Sequence, residues 1–298
     1  MTETTALRKT SLRTRLAERG IDGVTLLVAP AAIMVLLLFV YPFLYGLALS
    51  FAPKEGTALA NYERFFSDPY MYRTIWLTLR LALPVSVLHL LLSVPIALKV
   101  RNMRHQRILT TILVLPVTLG TVLVAEGLLN YLGPQGWLNR ALITFGLIER
   151  PIRLTQNYWG VLISLVITGF PLAFLLTLSM ISGIDPALEK AAATLGARAG
   201  QRFTRILLPL VVPGLAVVLC LAFVDAFSVF PSAVLLGAPA GETRVISIAA
   251  AQAAFEQYDY SLGSAIAMVM GAVQLVVVVI VLAARSAFYR GPTAGTKG

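Results

Sequence analysis

An all-α integral membrane fold of six transmembrane helices, with both termini in the cytoplasm, is what the sequence predicts. Three observations lead there. Of 298 residues, 58% are hydrophobic and 13% charged, about half the roughly 25% charged share of soluble domains. Six long runs carry no charge at all. The basic residues crowd into alternate connections between those runs.

The runs divide the chain. They cover residues 23–53, 81–98, 108–125, 154–184, 206–224 and 260–284. A bilayer core of about 30 Å takes about 20 apolar residues as a helix, so each run, with its flanks, is long enough to span. The first 23 residues resemble a signal-peptide start, but the run behind them is too long for its apolar segment. An uncleaved first helix fits better, with Pro30 and Pro42 as places to bend. The stretches 52–72, 133–157 and 233–259 hold the Gly, Pro and Asn clusters of outer loops. The expected organisation is therefore a tail over 1–23, a first helix and loop over 24–71, a five-helix transport domain over 72–285, and a tail over 286–298.

Charge sets the direction. Sixteen of the 24 Lys and Arg residues fall in the N-terminal tail, the 99–107 loop, the 182–205 loop and the C-terminus. By the positive-inside rule those segments are cytoplasmic. The net charge of +10 is then explained by topology, and nucleic acid is not an expected partner. Membrane lipid is. One cysteine, Cys220, excludes an intrachain disulfide, and two histidines argue against a metal centre. No catalytic residues are expected.

The inner loop from Ser182 to Arg205 has a design of its own. Asp185 before Pro186 reads as a helix start, with a side-chain acceptor at the N-cap and a proline at N1. Leu188, Ala191, Ala192 and Leu195 then recur at helical spacing and form one apolar stripe. Glu189, Lys190 and Thr194 lie off that stripe, and Gly196 follows as a C-cap. A second helical stretch is expected from about Ala199 through Phe203 and Ile206 into the fifth span. Two alanines and no aromatic make the stripe a poor lipid anchor, so docking into a partner protein is the expected role.

This loop resembles the cytoplasmic signature of binding-protein-dependent ABC importer permeases, E-A-A-x3-G-x9-I-x-L-P. Ala191, Ala192, Gly196, Ile206, Leu208 and Pro209 fall on its spacing, and Phe203 is similar to the family too. Lys190 stands where the family has Glu, with Glu189 one residue earlier; either could make the contact the family makes there. The resemblance, covering roughly Tyr72 to Arg285, implies an inner-membrane permease of a bacterium, not an enzyme. No G-x4-G-K-[ST] loop is present, so ATP and Mg would be bound by a separate ABC ATPase dimer that receives the 185–196 helix. The resemblance also implies a second permease subunit, a homologue in preference to another copy, and an extracytoplasmic binding protein. Among family members the last two spans look most like polyamine permeases, with iron(III) and phosphonate importers next.

Glu126 and Asp225 are acids inside otherwise apolar spans, and counting from the inner ends places both toward the outer side. An ionisable group there is a functional candidate by default. One reading is an acidic path for a cation, with Phe227 and Phe230 beside it as a gate. The other is a structural ion pair of Arg80 with Glu126 or Asp225. His89, alone in its span, reads as a hydrogen-bonded packing residue. The rival to the importer is a self-sufficient secondary transporter or channel, which gives no reason for the 185–209 pattern.

Overall fold

A computed structural model describes residues 23–288, and every regular element among them is helical. Six helical stretches are long and apolar enough to cross a membrane. The basic tail residues before Gly23, together with Arg290 and Lys297, lie outside the described residues. The first span is α1 (Gly23–Val35), a π turn over Leu36–Val40, and α2 (Tyr41–Ser50). Pro42 explains the turn. It has no N–H to offer and its ring displaces the carbonyl four residues back, so the ladder widens just before it.

A short amphipathic helix, α3 (Ala60–Ser67), leads to α4 (Pro69–Val100), the second span. Asp68 caps α4, its Oδ1 accepting from the Tyr70 N–H at 2.8 Å. That cap lies thirteen residues before the charge-free run begins at Leu81, so α4, 32 residues long, reaches about 48 Å at 1.5 Å per residue. The third span, α5 (Gln106–Leu132), is broken: Gly120 sits at φ +75°, ψ 159°, four residues after Pro116. Next come α6 (Trp137–Thr144), α7 (Tyr158–Ser182) and α8 (Pro186–Thr194). The fifth span runs from α9 (Ala199–Arg202) through a π turn over Phe203–Leu207 into α10 (Leu208–Phe227). Pro209 stands just after this turn, as Pro42 stands after the first.

The last outer connection folds into α11 (Pro231–Leu235), α12 (Ile246–Ala251) and a π turn over Gln252–Glu256, before the sixth span, α13 (Tyr260–Phe288). Three segments expected as loops thus contain helices. In two of them fully buried apolar residues, Phe65 and Ile246 among them, need a helical face to reach the core. In α6 the buried residue is Asn139, whose amide donates to the carbonyls of Gly133 and Ile152.

Spans two, four and five pack together as the centre, while the first span lies outside them against α13. Apolar side chains gather in two clusters. One includes Phe65, Leu81, Val85, Phe223, Phe227 and Ile266, at the end of the bundle away from α8. The other, including Ala97, Phe174, Ile181 and Val211, lies toward the α8 end. Between them the interface is polar. Ser93 and Thr177 hydroxyls meet at 3.1 Å, and the His89 ring nitrogen Nε2 donates to the carbonyls of Leu165 and Val166 at 3.2 and 3.3 Å. His89 is fully buried.

Candidate functional site

Predicted residues gather at the α8 end, and one of them, Asp225, lines a pocket inside the bundle. The α8 helix is closed at both ends by local chemistry. Asp185 Oδ1 accepts from the Ala187 N–H at 2.8 Å. At the other end Gly196 adopts φ +81°, a conformation a Cβ makes costly. Its N–H donates to the Ala193 carbonyl at 3.0 Å, and the Ala197 N–H to the Ala192 carbonyl at 3.0 Å. Those two bonds are the Schellman closure.

Among the described residues little covers the stripe on α8. Leu188 is 48% exposed and Leu195 88%, Ala191 is exposed and Ala192 is half-buried. Glu189 turns the other way: its carboxylate pairs with the guanidinium of Arg101, at the inner end of α4. Lys190 is exposed. Beyond the helix a hollow of about 510 Å³ opens beside Leu195, Gly196, Ala197, Gln201, Arg205 and Ile206. Phe203, Ile206 and Leu208 are half-buried, and Pro209 is exposed.

The second place is a pocket of about 240 Å³ between α5, α7 and α10. The broken middle of α5 forms one wall, with Pro116, Gly120 and Thr121; Thr168 and Gly169 of α7 form another, and Asp225 of α10 completes it. Asp225 is the only formally charged residue on that lining. Gly169 makes the close approach possible. A Cβ there would sit 2.5 Å from His89 Cε1 and 3.1 Å from Asp225 Oδ2. Backbone that leaves the helical path inside a membrane is tolerated where it lines a cavity or is buried in protein, and the Gly120 break lies on this pocket.

The other intramembrane candidates are not brought to it. Glu126 is exposed beyond the break and does not line the pocket. Phe227 is fully buried, with its ring 5.4 Å from that of Phe223, so it packs in the core and does not line this pocket. Phe230 is 41% exposed at the start of α11. Asp225, two residues before the end of α10, lies beside Gly169 near the middle of α7. The expected Arg80 ion pair is absent among the described residues. Its guanidinium lies 5.2 Å over the Tyr158 ring, whose hydroxyl donates to the Arg80 carbonyl at 2.9 Å. An aromatic face on α7 holds its guanidinium, and the Tyr158 hydroxyl bond ties the two helices together at that level.

Sequence reading missed Arg244, which is 5% exposed. It donates to the Tyr70 carbonyl at 3.0 Å and to Gln252 Oε1 at 2.9 and 3.1 Å, and its guanidinium stands 4.0 Å over the Tyr70 ring. The outer connection is thereby clamped to the start of α4. Only the long separation in sequence hid it.

Residues 56–291 match the family described as binding-protein-dependent transport system inner membrane component. The chain is 31% identical over 205 residues to the spermidine/putrescine transport system permease protein PotB of Haemophilus influenzae, covering 66% of this chain and 71% of that one. Against the protein of the same name from Escherichia coli it is 30% identical over 212 residues, covering 68% and 77%. Among solved structures, a bacterial alginate ABC transporter in complex with an alginate-pentasaccharide-bound periplasmic protein aligns with a TM-score of 0.76 at 25% identity. That alignment covers 89% of this chain and 95% of that one. The signature in the α8 loop, the six spans and these matches agree: the chain belongs to the binding-protein-dependent transport family, as a multi-pass permease of a bacterial inner membrane importer and not an enzyme.

Proposed function

We propose that this permease moves small organic cations, polyamines foremost, as one half of a permease pair driven by separate ATPase subunits. Both termini and α8 face the cytoplasm, and a binding protein delivers cargo to the outer loops. The observation that carries the reading is α8, a nine-residue helix capped at both ends, with its stripe bare. It is tied to the second span through Arg101 and Glu189. A groove on the ATPase takes the stripe, and rigid-body movement of α8 is passed to α4 and the bundle. ATP and Mg stay with the partner.

Cation selectivity rests on Asp225. A lone carboxylate in a low-dielectric pocket favours an ammonium group and disfavours an anion. The hydroxyls of Thr121 and Thr168 offer further acceptors there, and the relatives named for spermidine and putrescine agree in charge. The test is uptake into proteoliposomes holding the permease pair and ATPase, supplied with binding protein. ATP-dependent uptake of labelled spermidine or putrescine, lost without the ATPase, is the expected result. Uptake that proceeds equally without ATPase and ATP contradicts the importer reading. ATP-driven uptake confined to neutral or anionic solutes contradicts the cargo.

A further inference from the structure

The α8 end of the molecule meets its partner with an unusual sign of charge. The family pattern puts an acid at position 190, yet this chain has an exposed Lys190 there. The nearby acid does not substitute for it. Glu189 is only 19% exposed in its side chain and paired with Arg101, itself 12% exposed, so the two charges cancel beneath the helix. Asp185 spends one carboxylate oxygen on the cap at the opposite end of α8. The remaining charged groups around the stripe are positive: Lys190 beside Ala191, then Arg198 and Arg205, all exposed. Arg205 also borders the hollow next to Leu195.

We infer that the ATPase groove receiving α8 is lined by carboxylates, so that this permease docks through cationic side chains where the family pattern uses an acid. The inference rests on the docking role proposed above and adds the chemistry of the partner. Burying Leu188, Ala191 and Leu195 brings Lys190 to the rim of the same contact. An ammonium taken from water without a counter-charge is strongly disfavoured, and opposite charge at a rim sets partner choice and association rate. The partner's acids also explain why Glu189 is held away: a carboxylate on that face would repel them. An anionic lipid surface could engage the same cations. The bare stripe, with its two alanines, gives lipid little to hold, whereas a protein groove can fill around Leu195.

Equilibrium binding of the full permease, in nanodiscs, to the ABC ATPase that supports its transport tests this. Lys190→Glu is expected to weaken binding about tenfold and Lys190→Gln about threefold, both effects shrinking as salt is raised. Glu149→Gln, an exposed carboxylate in the connection before the fourth span, is expected to bind within about twofold of wild type. Exchanging a groove acid of the ATPase for Lys is expected to recover binding to Lys190→Glu. Lys190→Glu binding as well as wild type, or better, overturns the inference while leaving the docking role intact. An effect of Lys190→Glu that appears only in discs of anionic lipid assigns the charge to the membrane and also overturns it. Absence of wild-type binding in a preparation that transports removes the docking role itself.

Discussion

The guanidinium of Arg101 and the carboxylate of Glu189 join the C-terminal end of the second span to α8, across 88 positions of sequence. Among the described residues this pair is the one salt bridge between α8 and the end of α4. Removing one member should leave a partly buried charge without its partner, at a cost of about 1–3 kcal/mol. Arg101→Ala is therefore expected to keep ATPase binding and lose most uptake, as hydrolysis runs without transport. A ratio of uptake to hydrolysis unchanged from wild type would show that α8 transmits movement without this tie.

Gly196 provides a second test of the same helix. A Cβ at φ +81° costs about 1 kcal/mol, enough to loosen the last turn that positions Leu195. Gly196→Asn, which tolerates that conformation, is expected to retain more ATPase binding than Gly196→Val. Equal binding by both variants would mean that the closure of α8 is dispensable.

In the membrane pocket, Asp225→Asn keeps the shape and removes the charge. Uptake of a polyamine is expected to fall by at least about tenfold, the equivalent of roughly 1.4 kcal/mol, with ATPase binding unchanged. Gly169→Ala should do similar damage by a different route, since its Cβ would fall 2.5 Å from His89 Cε1 and 3.1 Å from Asp225 Oδ2. Wild-type uptake kinetics in Asp225→Asn would remove the pocket from the pathway.

Arg244 is a structural prediction, distinct from transport chemistry. Arg244→Ala leaves the Tyr70 carbonyl and Gln252 without their donor and is expected to destabilise by about 2–4 kcal/mol. Arg244→Lys should recover part of this, because an ammonium can reach one acceptor but lacks the planar fork that serves both. Thermal unfolding in detergent checks both variants. Similar melting temperatures for wild type and Arg244→Ala would mean that the outer connection is held by its apolar residues alone.

What the sequence makes legible here is local or periodic. The six spans follow from charge-free runs, and α8 follows from Asp185, Pro186 and Gly196, whose effects act within a turn of the chain. Long-range partners leave no such trace. Arg101 and Glu189 each look like ordinary loop charges until α4 and α7 pack together, and Arg244 looks like an exposed loop residue although Tyr70 buries it. Arg80 was expected to seek an acid within the membrane, yet an aromatic ring two spans away in sequence holds it. Phe227 shows the same limit from the other side, since its burial depends on which face of α10 meets the core. The break at Gly120 was hidden because glycine and proline are common in membrane helices and do not by themselves mark a gap in the ladder.

The central claim is that α8 docks into an ATPase subunit, and cross-linking from its most exposed apolar residue tests it most directly. Leu195, at 88% exposure, can be changed to cysteine in a background in which buried Cys220, the one native cysteine, is replaced by serine. A photoactivatable thiol probe on the Leu195→Cys variant, in proteoliposomes that transport, is predicted to yield one dominant adduct with the ATPase, its yield changing between ATP-bound and nucleotide-free states. Adducts with lipid alone, in vesicles whose uptake remains ATP-dependent, would contradict it.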